Sequence, residues 1–297
     1  MANLANTLCL MLVLVAVSGC EKERIMKFER IEYLVGELAE APQEFDIEAT
    51  GLSRYISHTN ESTPKLPEIG IYETMLSDSD IQWLTGALTN PPFASLPDHS
   101  GRIPSGSGYR FVRVFSESQA IDKKVGAEEP INPDLRKIIN WLDQTIIKVA
   151  QHPKEVLRIE LTQTGFNSEH MLTAIFVMSN PGVRSISCRD PQALLSASNG
   201  WLSAHLWSDQ PDAKDMMSIK VKHIEVVSSV RELQGDKSVL VIPPKSSASF
   251  RIRVTVPIEE SGMYFCRLSY ANFAKRIADS NLIVGELLTN PVKTAVP

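Results

Sequence analysis

The sequence predicts an α+β chain: an N-terminal sheet with two helices, followed by an antiparallel β-sandwich. Three observations carry that reading. Apolar residues recur at helical spacing between Asn132 and Ala150. Ahead of that stretch, short β-branched and aromatic runs alternate with clusters of Pro, Gly, Ser and Asn, the punctuation of strands. From Val156 onward only strand-like runs occur, at short intervals. About 277 residues follow Cys20, enough for two domains, and 43% apolar with 22% charged residues is an ordinary globular composition.

In the first unit, spanning 28–155, strands are expected over residues 31–35, 45–49, 53–57 and 69–75. Ser79-Asp80-Ile81-Gln82 has the pattern of a capping box, in which hydroxyl and amide satisfy exposed backbone N–H groups reciprocally. Ile81, Leu84 and Leu88 then share one helical face, and Asn90-Pro91-Pro92 ends the helix because proline lacks a donor and restricts its predecessor. Strands over 109–115 and 120–125 follow. The second helix is capped by Asn132 with Pro133 at the first helical position. Leu135, Ile138, Ile139, Leu142, Ile146 and Val149 lie on one side, and Arg136, Lys137, Asn140, Asp143, Gln144 and Lys148 on the other. Such a stripe packs on the domain's own sheet.

The second unit, 156–276, reads as strands over 156–163, 172–178, 183–188, 201–207, 219–227, 239–242, 250–256 and 263–271. Asn180-Pro181-Gly182 and Gln234-Gly235-Asp236 supply turns, and Phe250-Arg251-Ile252-Arg253-Val254-Thr255-Val256 alternates strictly, so one face is buried. Trp201 and Trp207 alternate with Leu202 and Leu206, which favours core or cross-strand packing over a sugar-stacking platform. Residues 277–297 form a strap or tail. Within this unit, Glu260-Ser261-Gly262-Met263-Tyr264-Phe265-Cys266 places a tyrosine two residues before a cysteine, and Cys188 precedes Trp201 by thirteen. In these features the unit resembles an immunoglobulin-like or fibronectin-type sandwich. The resemblance implies a Cys188–Cys266 disulfide joining two facing sheets, with Trp201 packed nearby. A loop of about 80 residues closed this way gains roughly 4 kcal/mol in the chain-entropy model.

At the N-terminus, a ten-residue apolar run over 8–17 is too short to cross a bilayer, which takes about 20 apolar residues. It ends in Val17-Ser18-Gly19-Cys20, which resembles the lipobox of bacterial lipoproteins. The resemblance implies a signal peptide over 1–19, lipidation of Cys20, a tether over 20–27 and an extracytoplasmic address in the cell envelope. Glu21, in place of an inner-membrane retaining Asp, points to the periplasmic side of the outer membrane. Export also bears on the cysteines. With Cys9 in the signal and Cys20 lipidated, Cys188 and Cys266 remain as a disulfide or as two buried thiols.

Chemistry is sparse. A net charge of −5 with scattered cations argues against nucleic acid, which needs a basic face. Asp98-His99-Ser100 offers triad residue types, but adjacency does not place them in hydrogen-bonding order, and a solvated turn is the expectation. The loop Gly101 to Tyr109 is glycine-rich yet opens a strand, so it is no phosphate cradle. His58, His99, His152, His170, His205 and His223 lack zinc spacing, and Glu128-Glu129 and Glu259-Glu260 sit at turns. Asn60-Glu61-Ser62 matches a glycosylation sequon of little weight in a bacterial chain. No catalytic, cofactor or metal residue is assigned. The expected function is a membrane-tethered, non-enzymatic module that binds another envelope protein, including an immunity or inhibitor role. The alternative is an extracytoplasmic hydrolase with an unrecognised site.

Overall fold

The computed structural model describes residues 27–36, 43–61, 64–103, 108–117, 119–126, 128–167, 171–209, 216–221, 223–228, 232–234, 238–256, 261–273 and 282–296. Strands β1 (Phe28–Gly36), β2 (Gln43–Glu48), β3 (Leu52–Ser57) and β4 (Glu68–Met75) lead to helix α1 (Asp78–Thr89). A 3-10 turn (Phe93–Ser95) and the short β5 (His99–Ser100) precede β6 (Tyr109–Ser116), β7 (Gln119–Gly126) and helix α2 (Pro133–Val149). Then come β8 (Pro153–Phe166), β9 (Met171–Asn180), β10 (Ile186–Arg189), the single-turn α3 (Pro191–Leu194) and β11 (Gly200–Ser208). The chain continues through β12 (Met217–Lys220), β13 (His223–Ser228), β14 (Glu232–Gln234) and β15 (Val239–Ile242). It closes with β16 (Ser246–Thr255), β17 (Gly262–Asn272), β18 (Gly285–Leu288) and β19 (Val292–Val296).

The molecule is predominantly β, with 58% of the described residues in strands and 16% helical, which corrects the α+β class. The reason lies in β8. Its first part pairs with β4 and its second with β9, so an 11-stranded sheet of order β13-β16-β9-β8-β4-β3-β2-β1-β6-β7-β5 runs through both halves. Helices α1 and α2 cover one face of only the N-terminal part. There Tyr33, Phe45, Tyr55, Val112 and Val114 pack against Leu84, Leu88, Leu135, Leu142 and Ile146. In the C-terminal half a five-stranded sheet, β12-β11-β17-β18 with β19 also on β17, and a three-stranded sheet, β10-β15-β14, take the helices' place. Phe176, Phe250 and Ile252 of the large sheet share that core with Leu202, Leu206, Leu268 and Tyr270. The two cores part along β4 and β8, where Ile69 and Leu157 join one and Tyr72 and Val156 the other.

Local chemistry explains the helix boundaries. Asn132 Oδ1 accepts from the N–H groups of Asp134 and Leu135, as its position before Pro133 predicts. The cap of α1 is Ser77 and not Ser79. Ser77 Oγ accepts from Asp80 N while the Asp80 carboxylate accepts from Ser77 N, so an aspartate fills the place expected of Gln82. On β7, Lys123 points inward and is 1% exposed, its Nζ donating to the carbonyls of Leu96 and Ala94 and to Asp98. An inward charge on a strand that is almost an edge also discourages pairing with other chains.

The immunoglobulin-like expectation is corrected in three places. Cys188 on β10 and Cys266 on β17 are both buried and both free, so the bridge is not formed. Trp201 is 36% exposed and lies outside the core. The strand expected over 219–227 is two strands in different sheets, β12 on β11 and β13 on β16. The expected strap over 277–297 carries β18 and β19, and it also ties the halves together. Asn60 exchanges two hydrogen bonds with the backbone of Leu288, at 2.7 and 2.9 Å, and Glu286 N donates to His58 O at 2.8 Å. Gly285 has φ +143°, and a Cβ there would lie 2.1 Å from His58 O, so only glycine permits this approach.

Candidate functional site

The outer face of the five-stranded sheet gathers side chains whose placement follows from strand parity. On β11 the set Leu202, Ala204, Leu206 is wholly apolar and turns inward, which leaves Trp201, Ser203, His205 and Trp207 outside. On β17 the same rule buries Cys266, Leu268 and Tyr270 and turns Met263, Phe265, Arg267 and Ser269 out. The opposite parity would have placed His205 and Arg267 in the core and turned Leu202, Leu206 and Leu268 out to water, losing their apolar burial.

Register then builds the site. Trp207 lies opposite Phe265, His205 opposite Arg267 and Ser203 opposite Ser269. Trp207 and Phe265 stack with centroids 5.6 Å apart, the Arg267 guanidinium lies 5.9 Å from the Trp207 ring and Lys293 Nζ 5.8 Å from Phe265. Lys293 is also ion-paired with Asp209. At the other end, Trp201 meets Phe273 at 5.2 Å and its Nε1 donates to Ser269 Oγ at 3.1 Å. Ser269 in turn donates to Glu286 at 2.7 Å, so its hydroxyl is committed on both sides and is no free nucleophile. Between the aromatic pairs, both ring nitrogens of His205 and the Nε of Arg267 are buried and have no hydrogen-bond partner among the described residues. Burial and then the facing Arg267 hold the His205 pKa below its usual 6.5, against the opposing pull of Glu286. The imidazole is therefore neutral at pH 7.

The remaining sequence candidates are placed as follows. Cys20 and its signal lie outside the described residues, as do His170 and Glu259-Glu260. Burial pushes the Cys266 thiol up to about 12 and raises that of Cys188 further, with Asp190 adding to the latter. Asp98-His99-Ser100 serves structure: Asp98 receives Lys123, and Ser100 Oγ accepts from Asn132 N at the start of α2. Asn60 is engaged by Leu288, and Glu129 accepts from Ile131 N and from Arg136. His58 Nδ1 lies 3.1 Å from Val284 O. Among the described residues no group of three or more His, Cys, Asp or Glu is gathered as a metal would need, and no helix is long and apolar enough to cross a membrane. The sequence reading assigned Trp201 and Trp207 to core or cross-strand packing and did not single out Arg267, Phe265 or Phe273. The signal available for them was the parity of 263–273, which puts Phe265 and Phe273 on the same face as the strand's single charge, Arg267.

No family model and no curated protein matches this chain. Among solved structures it is similar to AvmM, described as catalysing macrocyclization in alchivemycin A biosynthesis, at 8% identity over 48% of this chain and 88% of that chain, with a TM-score of 0.27. It is also similar to CfaE, the adhesive subunit of CFA/I fimbria of enterotoxigenic Escherichia coli, at 7% identity over 92% and 79%, with a TM-score of 0.15. Likeness at that level carries no argument.

Proposed function

We propose that this chain is a lipid-anchored protein of the bacterial envelope, tethered through Cys20, that acts by binding a partner protein on the outer face of β11 and β17. The observation that supports the binding reading is the strip Trp207–Phe265–Arg267, with Met263, Trp201 and Phe273 exposed around it and unpaired donors at its centre. Aromatic residues, Met and Arg are the types enriched in protein interfaces, and Trp, Tyr and Arg dominate their energetics. The anchor rests on the lipobox residues alone. Two experiments separate these parts. Cys20→Ser is expected to release the protein from membranes and abolish palmitate labelling, and a soluble, unlabelled wild type removes the anchor. A photoreactive residue at Met263 is expected to give a discrete protein adduct in the envelope that Trp207→Ala abolishes. Equal adducts from a probe at Phe111, on the opposite half of the molecule, would remove the assigned face.

A further inference from the structure

Val221 follows β12 of the five-stranded sheet and precedes β13 of the large sheet in the chain. A cleft of about 390 Å³ opens there, within the range of small-ligand sites. Its apolar lining is Met171, Ile219 and Val254, of which Val254 is 4% exposed and Ile219 packs against the core, and Thr255 adds a hydroxyl. Its rim is basic, formed by Lys220, His223 and Arg253. His223 and Arg253 are direct cross-strand partners, so the imidazole and the guanidinium stand side by side at the rim. Among the described residues no carboxylate lines the cleft. Glu225 reaches Arg253 at 3.6 Å from beside it, but it is shared with Arg251 at 3.3 Å. Lys220 makes no ion pair among the described residues. In a chain of net charge −5, this local excess of basic side chains around an apolar slot is a built feature.

We infer that this cleft binds a single-chain acyl anion, with the hydrocarbon between the sheets and the anionic head among Lys220, His223 and Arg253. The apolar lining with its one hydroxyl offers little to a sugar or a nucleobase, whose buried polar groups would go mostly unpaired. A carboxylate or phosphate head instead meets charged donors at the rim. The site is independent of the anchor and of the β11–β17 face.

The test uses the full chain with decanoate below its micelle-forming concentration, beside decanol and vesicles of phosphatidylglycerol. Decanoate is expected to bind saturably below about 1 mM. Decanol and the Lys220→Ala/Arg253→Ala double variant, both changes being at the rim, are each expected to bind about tenfold more weakly. Met171→Trp is expected to block decanoate by filling the slot while melting as the wild type does. No saturation with decanoate overturns the site, as does equal binding of decanol or of the double variant. Binding to vesicles without binding to decanoate would assign the cations to a bilayer and also overturn it.

Discussion

Each half of the molecule has an uncovered sheet face, and the face of β1 and β6 differs in chemistry from that of β11 and β17. On the N-terminal half, Arg113 forks onto Asp122 at 2.7 and 3.0 Å and reaches Glu32 at 3.7 Å, while Arg30 meets Glu32 at 2.5 Å. These guanidiniums also lie over Phe115 and Phe111, at 4.5 and 5.2 Å. On the C-terminal half, Arg267 lies over Trp207 with no ion pair among the described residues, and His205 has no hydrogen-bond partner. Both faces carry cations on aromatic rings. The first pairs its guanidiniums with carboxylates, whereas on the second Lys293 is paired with Asp209 and Arg267 is in no ion pair among the described residues, so Arg267 and His205 gain by meeting a partner that brings acceptors.

The two faces belong to one cooperative body if the shared strands β4 and β8 couple the cores, and a break in the larger helix packing has the largest effect. Leu142 is fully buried between α2 and the sheet. Leu142→Asp places an unpaired charge there and is expected to cost more than about 4 kcal/mol. Because β4 and β8 belong to both cores, Trp141 and Trp207, probes of the two halves, are expected to report a single coincident denaturant transition in the wild type. Transitions that separate would show two independent halves, and a Leu142→Asp variant that melts like the wild type would count against the helix packing.

The strap gives a smaller handle on the same coupling. Gly285→Val meets both the positive φ and the His58 carbonyl, and is expected to cost about 2 kcal/mol. It should do so chiefly by releasing β18 from the His58–Asn60 segment, which amide exchange at Glu286 and Leu288 would report. Unchanged protection there would remove the strap from the coupling.

How far these features were legible follows from what each depends on. Local chemistry was legible: α2 with its Asn132 cap, and strand runs such as 239–242, which coincides with β15. Long-range assembly was not. Nothing within Pro153–Phe166 marks the point where its pairing passes from β4 to β9, and that passage is what joins the halves into one sheet. The Cys188–Cys266 pair illustrates the same limit, since spacing and a tyrosine two residues before Cys266 are local while bridging depends on where two sheets bring the sulfurs. The site was half legible. Trp201 and Trp207 were visible, but which parity of β11 turns inward depends on a facing sheet that the pattern does not name, and Arg267 gains meaning only from its register with His205.

A direct contrast of the two faces pairs Arg113→Ala with Arg267→Ala. Losing the Asp122 fork costs about 0.5 kcal/mol, the scale of an exposed ion pair, and leaves the photocrosslink at Met263 intact. Removing Arg267 is expected to leave stability within about 0.5 kcal/mol and to abolish the crosslink. The reverse pattern, with binding lost in Arg113→Ala alone, would move the interface to the N-terminal half.

The smallest expected effect is a difference in sign between the faces as pH changes. His205 has its pKa depressed by burial and by Arg267, so the unfolded chain takes up a proton near pH 6.5 that the folded chain refuses. Its contribution is present above 6.5 and is lost as pH falls through the folded value. Asp46, on the N-terminal face, has its carboxyl held above the usual 3.8 by burial and then by Glu32. Its contribution runs the other way, being fully present below 3.8 and lost as pH rises through the folded value. His205→Gln should therefore flatten the decline in stability below pH 6.5, and Asp46→Asn should alter the profile only in the acid range around and above 3.8. Chemical denaturation at half-unit pH steps would show both. A His205→Gln profile parallel to the wild type from pH 7 to 5 would mean that the buried imidazole finds a proton acceptor when the protein is acidified, and the face would then be self-satisfied after all.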